Sequence, residues 1–325
     1  MKRFFTVLGT LFVFGLFALL AGGFWFMHEI KKPGEFTEQK EVLIPQGTSG
    51  YGVAQELGKA RIISHPGIFY AMLRINPVSI KAGEYLIPPQ SSLSDVLEIF
   101  REGKVIQRSV TLTEGQTVKQ ALILLNNTPN LEGTIAAIPE EGTLLPDTYN
   151  FIRGDTRQSL IDRMQKAHDE VMQKLWAARD ADIGVTSPQQ ALVLASIVEK
   201  ETGVAAERPR IAGLFYNRLN TGMPLQSDPT VVYVITDRLG HMEGKKLYAK
   251  SMQIDSPYNT YKVTGLPPAP IANPGRASIE AVLHPEKHDY VYFVADGTGG
   301  HVFGRTLEEH HDNVRNWYKI RDAAK

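Results

Sequence analysis

Apolar positions along this chain follow three patterns, each suited to a different environment. From Phe4 to Met27 no residue carries a charge, and a run of that kind predicts a helix able to cross a bilayer core, which takes roughly 20 residues. Apolar residues at 160, 161, 164, 167, 171, 172, 175 and 176 keep helical spacing and predict a long amphipathic helix over 157–178. From Ala191 to Val198 every residue but Ser196 is apolar, so a helix there is covered nearly all round and belongs inside its domain. Its start is written in Ser187 as N-cap, Pro188 at the first helical position and Gln190 closing a capping box. Thr202 and Gly203 end it.

Between the first run and the long helix the pattern is shorter in period. A linker over 31–40 leads to a strand at Val42–Pro45, a turn at Gly47–Gly50, helices from Val53 and from Pro66, a strand at Lys81–Ile87 and a helix at Leu93–Phe100. This β-α-α-β order, closed by Lys81-Ala82-Gly83-Glu84-Tyr85, resembles a LysM domain, a small module that binds glycans containing N-acetylglucosamine; read from pattern alone it is equally a small α+β spacer. Val42-Leu43-Ile44-Pro45-Gln46-Gly47 is echoed by Val110-Thr111-Leu112-Thr113-Glu114-Gly115, again followed by a helix, Val118–Leu125, which marks related supersecondary units. Residues 140–149 read as an extended, turn-rich stretch. After the apolar helix come a second amphipathic helix over Glu207–Leu219, a β-prone run to Tyr233, the proline-rich segment Gly265–Gly275, a buried strand Tyr290–Ala295 and a tight turn at Asp296–Gly300. The expected fold class is α+β, with spans 1–30 for the anchor, 31–40 for the linker, 41–106 for the LysM-like module, 107–150 for a connecting segment and 151–325 for a C-terminal α+β domain.

Composition narrows the function. Acidic and basic residues number 35 each, so no basic surplus argues for nucleic acid as a partner. Cysteine is absent, which excludes disulfides, thiolate catalysis and the usual structural zinc sites. Lys2 and Arg3 precede the apolar run and favour a cytoplasmic start, while Ala18–Gly23 offers a poor cleavage site. An uncleaved single-pass anchor with the rest of the chain outside the cytoplasm is expected. His310-His311 lack the H-E-x-x-H spacing, and adjacent residues do not share a helical face. Gly297–Gly300 lacks the Lys-Ser/Thr ending of a phosphate loop. Neither a metal nor a cofactor is expected.

The candidate chemistry lies at the end of the apolar helix. Glu201 continues the stripe of Leu194, Ile197 and Val198, whereas Glu199 lies above Leu192, Ala195 and Ser196. A carboxyl at the end of an apolar stripe is desolvated, which favours its protonated form and suits it to general acid work near neutral pH. The same residues also read as an ordinary solvated helix end, with Lys200 pairing to either acid.

Later segments decide between these. Val198-Glu199-Lys200-Glu201-Thr202, Asn217-Arg218-Leu219, Gln226-Ser227-Asp228-Pro229-Thr230-Val231, Tyr258-Asn259-Thr260-Tyr261, Gly265 to Gly275 and Tyr292 to Phe303 together resemble the endolytic murein transglycosylase (YceG-like) family. The resemblance implies a membrane-anchored enzyme that cuts peptidoglycan glycan strands, placed in the inner membrane with its catalytic domain on the periplasmic side and near peptidoglycan polymerases (penicillin-binding proteins). It implies Glu201 as catalytic acid and base, with Thr202 standing where lysozyme-like transglycosylases have serine. One carboxyl suffices when the sugar's own 6-hydroxyl is the nucleophile, where ordinary glycosidases need two. Gln226, Tyr258, Asn259 and Tyr261 are candidate neutral groups for the oxocarbenium-like state, and Ser227, Thr230 and Asn273 further substrate contacts. Asp228 is either a second carboxylate, which makes hydrolysis possible, or a structural group bonding turn amides. The other function class is a non-catalytic peptidoglycan-binding scaffold.

Overall fold

The uncharged N-terminal run folds as one continuous helix, α1 (Lys2–Lys31), whose segment Val7–Lys31 is long and apolar enough to cross a membrane and whose last turns pack on the first core through Phe26 and Ile30. The structure, a computed structural model, describes residues 2–242 and 247–323; Met1, and residues 243–246 and 324–325 of the predicted 151–325 span, lie outside them. The architecture is mixed α/β, and the chain packs as two units.

The first unit takes in the chain to Arg108 with Asn130–Glu132 and Asn150–Asp155. Its elements are β1 (Lys40–Ile44), α2 (Gly50–Lys59), α3 (Pro66–Ile75), β2 (Gly83–Ile87) and α4 (Leu93–Glu102), in the predicted β-α-α-β order. β1 and β2 pair antiparallel with Val42 opposite Tyr85. Ser49 caps α2, and Ser92 with Asp95 forms a reciprocal capping box on α4. The core gathers Val53, Leu57, Phe69, Tyr85 and Phe100, with the Tyr85 ring edge-on to Phe100 at 4.6 Å. Beside it Glu84 is buried, and burial alone would raise its pKa; Arg108 at 2.7 Å and Arg153 at 2.9 Å prevail and hold it below the ordinary value.

In the repeated segment β3 (Arg108–Leu112) leads to α5 (Val118–Asn127). The echo is structural as well as sequential: Gly47 and Gly115, at matching positions after each strand, both turn with positive φ, 78° and 73°, where glycine carries no Cβ penalty. The turn-rich stretch at 140–149 ends in a further strand, β4 (Asp147–Phe151), which pairs with β3.

The second unit holds Ser109–Pro129, Gly133–Tyr149 and the chain from Thr156 onward. Its helices include α6 (Arg157–Ala177), α7 (Pro188–Glu201), α8 (Arg208–Asn220), α9 (Asp228–Ile235), α10 (Arg276–Leu283) and α11 (Leu307–Ala323), with a hairpin of β5 (Tyr292–Ala295) and β6 (His301–Gly304). Helix α7 is the axis of the core, with every residue from Ala191 to Val198 buried, and it packs chiefly on α8 and α10. Its one polar member is fully used. The Ser196 hydroxyl donates to the Val193 carbonyl and accepts from the Ile271 amide at 3.0 Å, pinning the proline-rich segment to the helix.

Three expectations change here. The β-prone run after Ser227 is helical, because Pro229 suits a first helical turn and burial of Val231 and Tyr233 outweighs β propensity. The strand predicted as buried is β5, only half-buried throughout, since a two-stranded hairpin has few neighbours to cover it. The C-terminal α11, absent from the sequence reading, has no buried residue.

Candidate active site

Helix α7 starts and stops as the sequence predicts, with one change at each end. The Ser187 hydroxyl accepts from the Gln190 amide at 3.2 Å, but the Gln190 side chain accepts from Thr186, one residue before the cap. At the other end Thr202 is extended, with φ −138° and ψ 135°, and leaves Glu201 in the last turn. The Thr202 hydroxyl accepts from the Val204 amide and donates to Glu207 at 3.1 Å. It therefore does not serve Glu201 as a neighbouring serine would.

The hydroxyl at Glu201 is that of Ser227, which donates to Oε1 at 2.5 Å. Ser227 is fixed from every side. Its amide donates to the Thr260 hydroxyl at 2.9 Å, its carbonyl accepts from the Thr230 hydroxyl at 2.6 Å, and the hydroxyls of Thr230 and Thr260 lie 2.9 Å apart. Gln226, immediately before it, has a positive φ of 49° and donates its amide to the Thr260 carbonyl.

Glu201 lines a cavity of about 630 Å³ together with Arg218, Gln226, Asp228, Tyr261, Tyr292, Phe293 and a face of α11. Burial raises the pKa of its carboxyl; the Ser227 hydrogen bond opposes this, the charge of Asp228 adds to it, and His301 and Arg218 act against it, leaving the group pushed up to about 7. The acid is therefore substantially protonated at neutral pH. Asp228 accepts from the Tyr261 hydroxyl at 2.5 Å. Arg218 spends Nε on the Val291 carbonyl and Nη1 on the Leu225 carbonyl, which locks the guanidinium at the cavity wall.

The predicted substrate contacts thus divide. Gln226, Asp228 and Tyr261 line the cavity, and Ser227 touches the acid. Thr230, Asn259 and Asn273 are buried and bond the chain itself. Asn259 donates to the carbonyls of Met252 and Ile254 and accepts from the Tyr261 amide, so it shapes the loop that presents Tyr261. Asn273 accepts from the Leu144 amide and donates to the Gln116 carbonyl. Tyr258 packs on Tyr233, ring centroids 5.2 Å apart. These four sit outside the cavity lining; the side chains of Thr230, Asn259 and Asn273 bond the chain itself, and the Tyr258 ring is packed on Tyr233.

Sequence reasoning missed Arg218 as an individual residue, Tyr292, Phe293 and the whole α11 face. A signal existed for the last: Leu307, His310, His311 and Val314 are spaced i, i+3, i+4 and i+7, one side of a helix. Both adjacent histidines reach the cavity, contrary to the expectation that they diverge, since each lies one turn from Leu307. Among the described residues no group of three His, Asp or Glu side chains is placed to hold a metal ion.

On the other side of the α7 terminus a second, open groove of about 620 Å³ is lined by Glu114, Gly115, Asp147, Glu199, Lys200 and Arg208, among others. Here the acid is committed. Glu199 accepts from the Gly275 amide at 2.9 Å and lies 3.6 Å from the Arg208 guanidinium.

Comparison with known proteins gives a consistent result. A sequence model of the YceG-like family matches residues 42–316. A protein of Bacillus subtilis named endolytic murein transglycosylase is 32% identical over 327 residues, covering 90% of this chain and 89% of the relative. A Streptococcus pneumoniae protein of the same name is 30% identical, covering 93% of this chain and 63% of its own length. The crystal structure of a yceG-like protein from Listeria monocytogenes superposes with a TM-score of 0.52 at 32% identity, over 85% of this chain and 99% of that one.

Proposed function

The chain belongs to the YceG-like family, and from that premise we propose that it is a membrane-anchored endolytic transglycosylase of peptidoglycan, cutting the β-1,4 bond between N-acetylmuramic acid and N-acetylglucosamine within nascent strands. The observation that carries this reading is Glu201: a carboxyl at the end of a buried helix, pushed up to about 7 and open to a cavity that bears neutral donors. Glu201 gives its proton to the glycosidic oxygen as the bond from C1 breaks, and the departing sugar leaves with a free 4-hydroxyl. The resulting carboxylate then takes the proton of the muramic acid 6-hydroxyl, whose oxygen closes on C1 to form a 1,6-anhydro ring. Ser227 fits the second half of this cycle, since its hydrogen bond favours the ionised carboxylate. Gln226 and Tyr261 are neutral groups positioned along the same cavity wall, and Arg218 supplies a fixed positive charge against the carboxylate.

Asp228 in the same cavity supports a second reading, a muramidase-type hydrolase in which it activates water. Its bond to Tyr261 favours a positioning role instead. Mass spectrometry of the products decides, because anhydro ends are lighter than reducing ends by one water; reducing ends as the main product replace the transglycosylase with the hydrolase. Loss of cleavage in Glu201→Gln, with folding retained, separates either enzyme from a non-catalytic wall-binding scaffold.

The apolar helix α1 fits a single-pass inner-membrane anchor with a cytoplasmic start and the rest of the chain periplasmic. Protease added to spheroplasts should then digest the chain beyond α1, and full protection overturns that orientation. The β-α-α-β unit over 41–106 is proposed as a LysM-like glycan-binding module, 107–150 as a connecting segment and 151–325 as the catalytic region. Peptidoglycan polymerases are proposed as neighbours at the membrane, testable by crosslinking in cells.

A further inference from the structure

One buried cation in the active-site cavity has no counter-ion among the described residues. Arg218 on α8 is 5% exposed, and a charge so far out of water is ordinarily paired with an opposite one. Its bonds go to backbone instead, Nε donating to the Val291 carbonyl and Nη1 to the Leu225 carbonyl, while the guanidinium lies over the Phe293 ring, 5.9 Å from its centroid. The third nitrogen is different. Nη2 bonds no described group, yet it is not among the unbonded polar atoms shut off from solvent. Since Arg218 lines the cavity that holds Glu201 and is otherwise enclosed, that opening is toward the cavity.

The two backbone bonds decide what this nitrogen can do. They come from different segments, one just before β5 and one after α8, so the guanidinium cannot swing toward Glu201 or Asp228 without breaking both. It presents a preset positive N–H to whatever fills the cavity, which suits an oxygen acceptor bearing negative charge or a strong dipole. Tyr261, a neutral donor of the same cavity, already gives its hydroxyl proton to Asp228.

The inference rests on the glycan-cleaving function proposed above. The two sugars of a peptidoglycan strand differ in one substituent, the 3-O-lactyl group of the muramic acid. That group ends in a carbonyl, as a carboxylate on a bare strand and as an amide where a stem peptide is attached. An enzyme that cuts after muramic acid and not after glucosamine has this group to read. We propose that Arg218 is a specificity-determining residue of the reaction, its free Nη2 donating a hydrogen bond to the lactyl carbonyl of the muramic acid bound beside Glu201. The buried cation then gains its missing acceptor only when the correct sugar is seated.

The test uses the full chain and three sets of uncrosslinked glycan strands that differ only at the lactyl group: the carboxylate, its primary amide, and the alcohol left by reducing the carboxyl. The unsubstituted protein should cleave the first two with kcat/KM about tenfold or more above the third, because the alcohol offers the guanidinium a weaker acceptor on a freely rotating carbon. Arg218→Gln can still serve one backbone carbonyl but has neither the charge nor the third nitrogen, and should bring the three values within about threefold of one another. A substitution that merely loosened the site would slow all three alike and keep their ratio, and that outcome overturns the proposal. An unsubstituted protein indifferent to the lactyl carbonyl overturns it without any variant. Should Arg218→Gln not fold, Arg218→Lys replaces it. Lysine has one nitrogen for two carbonyls and the sugar, so the preference should fall by about threefold or more, and an unchanged preference overturns the proposal. Absence of cleavage of every strand by the unsubstituted protein overturns the proposed function and this inference with it, whereas cleavage without preference overturns this inference alone.

Discussion

Two glutamates, two residues apart at the end of one helix, open onto different regions with opposite consequences. In the groove, Glu199 is held by the Gly275 amide and the Arg208 guanidinium, and a Cβ at position 275 would collide with Glu114 beside it, so the packing around this carboxylate is closed. In the cavity, Glu201 has one hydroxyl, from Ser227, and no ion pair among the described residues. Both are removed from water; Glu199 has a guanidinium and a backbone amide beside it, Glu201 a single hydroxyl. Residue type and helix position therefore do not fix the surroundings of an acid. The partners across the gap do.

Removing each carboxyl in turn should break the comparison most visibly. Glu201→Gln keeps the shape and the Ser227 contact but has no proton to give, and general acid catalysis is worth about 10²–10⁴ in rate. Glycan cleavage should fall by at least that range. Glu199→Gln should retain cleavage within about tenfold, with its defect appearing in stability, since Arg208 is left beside Glu114 as its remaining carboxylate at 3.5 Å. The reverse ranking in a cleavage assay would move the acid to position 199.

Stability against pH provides the next largest effect. The folded pKa of Glu201 is raised from 4.5 to about 7, so its contribution is fully present below the unfolded value and is lost as pH rises through about 7. A shift of that size amounts to roughly 3 kcal/mol between the limits. Glu201→Gln abolishes this term. Its melting temperature should match the unsubstituted protein near pH 4 and exceed it at pH 8.5. Equal curves at both would mean that the carboxyl is not desolvated in the folded protein.

The contrast between these glutamates was half legible in the sequence. Ser187, Pro188 and the apolar block set the start and burial of α7, and helical spacing carried Glu201 along the buried stripe; all of that is local. The deciding partners are not. Ser227 lies 26 residues away, immediately before a run that reads as β-prone and folds as α9 because tertiary burial outweighs local propensity. Thr202, adjacent in sequence, was the natural hydroxyl for Glu201, yet it faces Glu207. Asn273 and Asn259, in polar loops of the kind that line clefts, are consumed in holding those loops. The α11 wall is hard to read from the sequence because its helical spacing mixes Leu307 and Val314 with His310 and His311, which break the apolar stripe.

The smallest effect is the sharpest probe of the cavity's electrostatics. In the transglycosylase cycle Glu201 must begin protonated, so kcat/KM should fall on the alkaline side with an apparent pKa near the value of about 7 for this group. Asp228 raises that value through its charge and Ser227 lowers it through its hydrogen bond. Asp228→Asn, which keeps an acceptor for the Tyr261 hydroxyl, should therefore shift the alkaline limb to lower pH. Ser227→Ala should shift it to higher pH, because the ionised carboxylate loses its donor. Opposite displacements from two neighbouring substitutions cannot arise from a general loosening of the site, which would move both the same way. An Asp228→Asn enzyme that loses cleavage outright at every pH, with its melting temperature retained, would instead give Asp228 a direct part in the chemistry and favour the hydrolase reading.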